Sequence, residues 1–183
     1  MSELTELFSA VNAGDRGAID RLMAMMYTDL RQLAHRRLYA SARADSLDTT
    51  GLVHESYLRF LKAGRIQVTD RGHFLAYSSR VMRSVIIDLV RRHRREKRGG
   101  GVLQVTFNTQ LPEEAEVSDD RLLQLNEALE ELGKAEPRLM QVVEMRYFAG
   151  LLESEIAEAL GVTERTVRRD WQKARMLLSV ALD

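Results

Sequence analysis

In TERTVRRDWQK, residues 163 to 173, the hydrogen-bonding side chains Arg165, Thr166, Arg168, Arg169, Gln172 and Lys173 interleave with Val167 and Trp171. At helical spacing Val167, Trp171, Ala174 and Leu178 share one side, which leaves the donors largely on the other faces. Such a face suits a DNA major groove. Arginine reads guanine bidentately, and flanking arginines and lysines hold phosphates. Just upstream, Ile156, Ala157 and Leu160 give a preceding helix its core face. Gly161 allows the positive φ of a tight turn, and Thr163 is placed to cap the next helix. Turn, cap and arginine cluster together read as a helix-turn-helix with Trp171 in its core. The charged face alone would fit any helical hairpin.

Other chemistry is weakly represented. His35, His54, His73 and His93 have no metal-ligand spacing, and the chain has no cysteine. No serine, histidine and acid grouping supports a catalytic triad. KRGGG lacks the Gly-Lys-Ser/Thr ending of a phosphate loop. The sequence therefore implies no enzyme, no metal and no cofactor. No apolar run approaches the roughly 18 residues that span a bilayer, and the acidic, amphipathic N-terminus is unlike a signal peptide. A cytoplasmic protein without a membrane partner is the expectation.

The net charge of zero, from 27 basic and 27 acidic residues, hides strong asymmetry. RRHRREKR, residues 91 to 98, is almost wholly basic. PEEAEVSDD, residues 112 to 120, carries only acids among its charged positions. Such blocks suggest different partners for different parts of the chain. The acids Glu113, Glu114, Glu116, Asp119 and Asp120 resemble a nucleic-acid mimic, suited to a basic cleft on a partner or to the chain's own basic helix. A solvated tether fits as well.

These groups need elements to hold them, and the periodicity is helical almost throughout its 183 residues. Leu4, Leu7, Phe8 and Val11 mark a first helix. Ile19, Leu22, Met23, Met26, Leu30 and Leu33 mark a second. Leu52, Val53, Tyr57, Phe60 and Leu61 mark a third, whose start at Asp48, Thr49, Thr50 and Gly51 holds two adjacent threonines where one cap would do. A fourth runs from about Gly72 into the basic block, with Phe74, Tyr77, Val81, Met82, Val85, Ile86, Leu89 and Val90 inward. Tyr77 and Phe74 are equally suited to a core or to stacking on unpaired bases beside arginines. The glycine-rich and acidic stretch then breaks the pattern. Leu122, Leu125, Leu129 and Leu132 mark a fifth helix, and Pro137 opens a sixth. The fold class is all-α, in two helical domains: residues 1–98 and 119–183, joined by a linker at 99–118.

Three segments in order resemble the extracytoplasmic-function (ECF) sigma factors, the smallest promoter-recognition subunits of bacterial RNA polymerase. GLVHESYLRFL is similar to the family's region 2.2. HFLAYSSRVMRSVIIDLVRRHRR is similar to regions 2.3 and 2.4. YFAGLLESEIAEALGVTERTVRRDWQKARMLL is similar to region 4. The resemblance implies that Asp48, His54, Glu55 and Arg59 dock on the polymerase clamp helices. It implies that Tyr77, Arg80, Arg83, Ser84, Asp88, Arg91 and Arg92, with the loop Gly64 to Gly72, engage the minus-ten element. Arg165, Thr166, Arg168, Arg169, Gln172 and Lys173 would read the minus-thirty-five element.

Ser84 and Tyr77 depart from the family's common asparagine and tryptophan. Thr50 and Gly51 stand where acids usually precede region 2.2. Phosphorylation of Thr50, or of Thr49, would restore negative charge at a helix N-terminus. The implied partners are the polymerase core through its clamp helices and flap, promoter DNA, a Ser/Thr protein kinase and an anti-sigma factor. A stand-alone helix-turn-helix regulator, or an interaction protein that keeps the fold without promoter activity, fits the same residues.

Overall fold

The computed structural model describes residues 3–41, 47–98 and 119–182. The helices are α1 (Glu3–Asn12), α2 (Arg16–Met25), α3 (Tyr27–Ser41), α4 (Thr49–Ala63) and α5 (Arg71–Arg98), then α6 (Asp119–Ala135) and α7 (Pro137–Val143). A π-helical turn, Glu144–Phe148, follows α7. The chain ends in α8 (Glu153–Leu160) and α9 (Glu164–Leu182). No strand occurs among the described residues. The linker expected at 99–118, with Glu113, Glu114 and Glu116, lies outside them.

Side-chain caps set several helix starts. The Asp15 carboxylate accepts from the backbone N–H groups of Gly17 and Ala18 to start α2. Asp48 accepts from Gly51 at 2.6 Å to start α4. Asp70 accepts from His73 at 3.0 Å, and its carbonyl begins the α5 ladder at Phe74. Pro137 is the first residue of α7, where a missing N–H costs nothing. Between α2 and α3 the apolar stripe of residues 19 to 33 continues unbroken, yet the helix breaks at Met26. The expected single helix is therefore two. Apolar spacing runs through the break, and no glycine or proline marks it.

In the N-terminal half Phe74 lies at the centre, with ring centroids 6.2 Å from Phe8 and 5.9 Å from Phe60. It is a core residue, so it offers no surface for stacking. The segment after α4 leaves the helix at Gly64, whose φ of 72° lies in the region open to glycine. Ile66 and Val68 then point inward, while Arg65, Gln67 and Thr69 stay exposed. The Asn12 amide fixes this loop, donating to the Val68 carbonyl and accepting from its N–H at 2.8 and 2.9 Å.

The largest apolar cluster runs through both halves. It joins Leu22, Leu30, Phe60 and Met82 to Val142, Met145, Ile156 and Val167. A second cluster, within the C-terminal half, packs Leu129, Leu139, Met140, Val143 and Phe148 around Ala174. Ile87 and Val90 of α5 pack on Leu122 of α6.

Candidate nucleic-acid interface

On α9, Val167 and Ala174 are buried, while Arg165, Arg168, Arg169, Gln172 and Lys173 are exposed. Gly161 sits at φ 64° between α8 and α9, as the turn requires. Thr163 accepts from the Thr166 N–H at 3.2 Å, and the Thr166 hydroxyl lies 3.1 Å from that of Thr163. Thr166 is therefore half-buried and part of the cap. Trp171, expected as core, is only half-buried. It stacks on Tyr147 at 6.5 Å and carries the Arg146 guanidinium 5.1 Å from its ring centroid. It lines an open groove with Leu125, Tyr147 and Met176.

The donors of α9 are not equally free. Arg168 Nε bonds Glu153 at 2.8 Å, and its Nη2 lies 3.5 Å from Glu164. Glu153 also accepts from Arg146 at 2.6 Å, so one carboxylate orients two arginines. Lys173 pairs with Glu136 at 2.6 Å. Arg169 is 72% exposed, its nearest acid Asp170 at 3.8 Å. Asp170 itself is buried and takes a two-bond clasp from Arg138 at 2.6 and 3.3 Å.

The residues implied for polymerase and minus-ten contact meet at the α4–α5 seam. Arg59 donates to Ser84 and to Asp88, each at 2.6 Å. One residue from the first set and two from the second therefore form a single cluster. His54 and Glu55 are exposed beside it, and Asp48 is exposed while capping α4. Tyr77 is half-buried with its ring 5.5 Å from Phe60, and burial pushes its phenol pKa up. The Arg80 guanidinium stands 6.0 Å from the Tyr77 ring, and Arg80, Arg91 and Arg92 are exposed. Neither threonine caps α4, since Asp48 does. Thr49 is half-buried and Thr50 exposed, at the edge of a shallow depression with Asp20, Val53, His54 and Tyr57. A side chain at Gly51 would place its Cβ 2.9 Å from both the Asp48 carboxylate and Leu47.

Arg83 differs from its neighbours. It is half-buried and turned toward the C-terminal half, donating to Asn126 at 2.8 Å and lying 3.3 Å from Glu144. Glu144 is buried and pairs with the buried Arg37 at 2.5 Å. The Ser79 hydroxyl donates to Glu144 at 2.8 Å and accepts from Arg37 Nε at 2.9 Å. Burial lowers the Arg37 pKa to about 10, partly offset by Glu144 and reinforced by Arg83. The guanidinium also lies 3.2 Å from the Phe148 ring centroid. At the rim Arg36 donates to the Ala149 carbonyl at 2.8 Å, and Arg71 lies 3.5 Å from Glu155.

Sequence reasoning missed this network. One signal was available: Glu144 stands inside LMQVVEM, where an acid in an apolar run needs a buried partner. No cluster of metal-ligating side chains occurs among the described residues, and no described helix is long and apolar enough to cross a membrane.

The ECF sigma factor family model matches residues 1–183. No curated protein and no solved structure matches the chain. The helix-turn-helix and the helical architecture of the described residues agree with that match. The chain belongs to the ECF sigma factor family, and so to the alternative sigma factors of transcription initiation.

Proposed function

We propose that residues 1–98 carry this sigma factor to core polymerase and the minus-ten element, and that residues 119–183 read the minus-thirty-five element across the linker at 99–118. The observation that carries this is the exposed donor face of α9, anchored by Val167 and Ala174, on a capped helix after a glycine turn. Arg165, Arg168, Arg169, Gln172 and Lys173 meet DNA, and Thr166 seats the helix start. On the other half Tyr77, Arg80, Arg91 and Arg92 meet the unpaired strand. Arg59 ties Ser84 and Asp88 to the surface of α4 that holds Asp48, His54 and Glu55, and polymerase docks there. The groove of about 610 Å3 between Trp171, Tyr147, Met176 and Leu125 takes an apolar helix of the polymerase flap.

Thr50 is the regulatory position within this scheme. Its hydroxyl is exposed in the first turn of α4, where backbone N–H groups and the helix dipole favour an anion. A Ser/Thr kinase acting there supplies about −1.5 to −2 charge to a surface whose other acids have become Thr50 and Gly51. Thr49, half-buried, is the poorer acceptor.

Run-off transcription with purified core polymerase tests both levels. The full chain yields discrete transcripts only with core present, whereas a stand-alone regulator binds DNA and yields none. Thr50→Ala folds normally, with Asp48 still capping α4, and loses activity in cells. Thr50→Glu recovers part of it. Equal transcription by unmodified and phosphorylated protein would end the kinase reading while leaving the sigma reading intact.

A further inference from the structure

The C-terminal half covers one face of α5 with acceptors. Asn126 and Glu144 take Arg83. Asp120 takes Arg94 at 2.8 Å, and Asp119 lies 3.8 Å from His93. Beneath them Glu144 is sealed between Arg37, Ser79 and Arg83. At each arginine contact a carboxylate or amide oxygen of one half meets a guanidinium of the other. A nucleic-acid backbone presents the same anionic acceptors to the same helix.

We propose that the C-terminal half closes on α5 as an internal competitor for the DNA strand, with Glu144 as its latch. The inference rests on assigning α5 to minus-ten DNA. Its physical basis is the weakness of a buried ion pair as glue. Desolvating Arg37 and Glu144 offsets most of their attraction, so the intact pair itself adds little to the cost of opening, which rehydrates both. Losing one partner is different, because the closed state then holds an unpaired charge while the open state loses nothing. The π-helical turn that begins at Glu144 fits the role, since such turns recur at functional sites.

Two variants separate a latch from general packing. Glu144→Gln keeps the shape and removes the charge, which leaves Arg37 buried without its anion. Adding Arg37→Met removes the fully buried orphaned cation, while Arg83 keeps its bond to Asn126. The chain has no cysteine, so Arg71→Cys with Glu155→Cys gives one pair of thiols across the two halves, and a short bis-maleimide reports docking. A fluorescein-labelled, mixed-sequence DNA single strand reports access to α5. Circular dichroism checks that every variant is helical.

Glu144→Gln lowers the cross-linking yield and tightens single-strand binding. If the closed state holds about nine-tenths of molecules, the gain is about tenfold. Arg37→Met with Glu144→Gln returns both readings toward the starting chain. An unchanged cross-linking yield in Glu144→Gln overturns the latch. A lowered yield with unchanged strand binding overturns the competition. The cross-linking arm uses neither DNA nor polymerase, so it stands even if run-off transcription shows that the chain does not serve polymerase.

Discussion

Asp170, on the inward face of α9, is 3% exposed, and its carboxylate is held by Arg138 from α7. A buried acid left without its donor costs about 1–3 kcal/mol or more. Arg138→Ala is therefore expected to destabilise the chain by at least about 1 kcal/mol in urea unfolding. Lys173→Ala breaks an ion pair of similar length at the surface, and such pairs contribute about 0–1 kcal/mol. Two of the arginines proposed to meet DNA are expected to differ in the same spirit. Arg168 is aimed by Glu153 through Nε at 2.8 Å, while its Nη2 has only the looser 3.5 Å contact with Glu164 to give up for a base. Arg168→Ala should cost about 1–3 kcal/mol and relax preference at one promoter position. Arg165 is exposed at the helix start, and Arg165→Ala should weaken all promoters alike and flatten the salt dependence. Binding titrations on a promoter and its single-base variants at two salt concentrations check both. The donor types and their spacing were readable from residues 163 to 173. Which donor is pinned was not, because Glu153 and Glu136 sit on other elements.

Helix α5 carries most of the N-terminal proposals, and its start depends on Asp70. Burial pushes the Asp70 carboxyl up, but the His73 backbone N–H, the His73 ring and the Thr69 hydroxyl together outweigh it, so its pKa is lowered. A lowered folded-state pKa contributes stability above the unfolded value, near 3.9, and loses it as pH falls through the folded value. Asp70→Ala should cost about 1 kcal/mol at pH 7, as caps do. The deficit against the starting chain should shrink as the pH falls below about 4, where the starting chain loses the same charge. Thermal melts across that range measure it. At this scale the sequence is informative where local chemistry decides. Pro137, Gly161 and Thr163 mark their boundaries by φ preference and capping, and the structure agrees. The break at Met26 left no mark, since Ile19 to Leu33 keeps helical spacing through it. Asp48 rather than Thr49 or Thr50 caps α4, a choice between adjacent competent residues that only the backbone path makes.

Two domains joined by a tether is the natural reading of a chain with GGG and an acid run in its middle, and residues 99–118 carry no structural description that bears on it. What the linear pattern hides is how the halves meet. Ile156, Ala157 and Val167 read as the core of a C-terminal helix-turn-helix. In three dimensions they belong to the same cluster as Leu30, Phe60 and Met82. Apolar periodicity reports that a face is buried and is silent on what buries it. Gly150 sharpens the point. Its φ is 69°, and a Cβ there would run into the Arg36 guanidinium that donates to Ala149, so the residue serves the junction as well as its own turn. The shared cluster predicts how the whole molecule unfolds. With the halves docked, opening them exposes apolar surface on both, so the full chain should melt in one transition. Arg37→Ala leaves the buried Glu144 with only Arg83 at 3.3 Å and the Ser79 hydroxyl, and losing one partner of a buried pair costs up to about 3–5 kcal/mol. That cost falls on the docked arrangement, because each half has packing of its own, the rings of Phe8, Phe60 and Phe74 in one and the cluster around Ala174 in the other. Calorimetry of Arg37→Ala should therefore show two separated transitions where the starting chain shows one. A single transition merely shifted to lower temperature would mean that the halves have no independent stability and that the junction is part of one indivisible core.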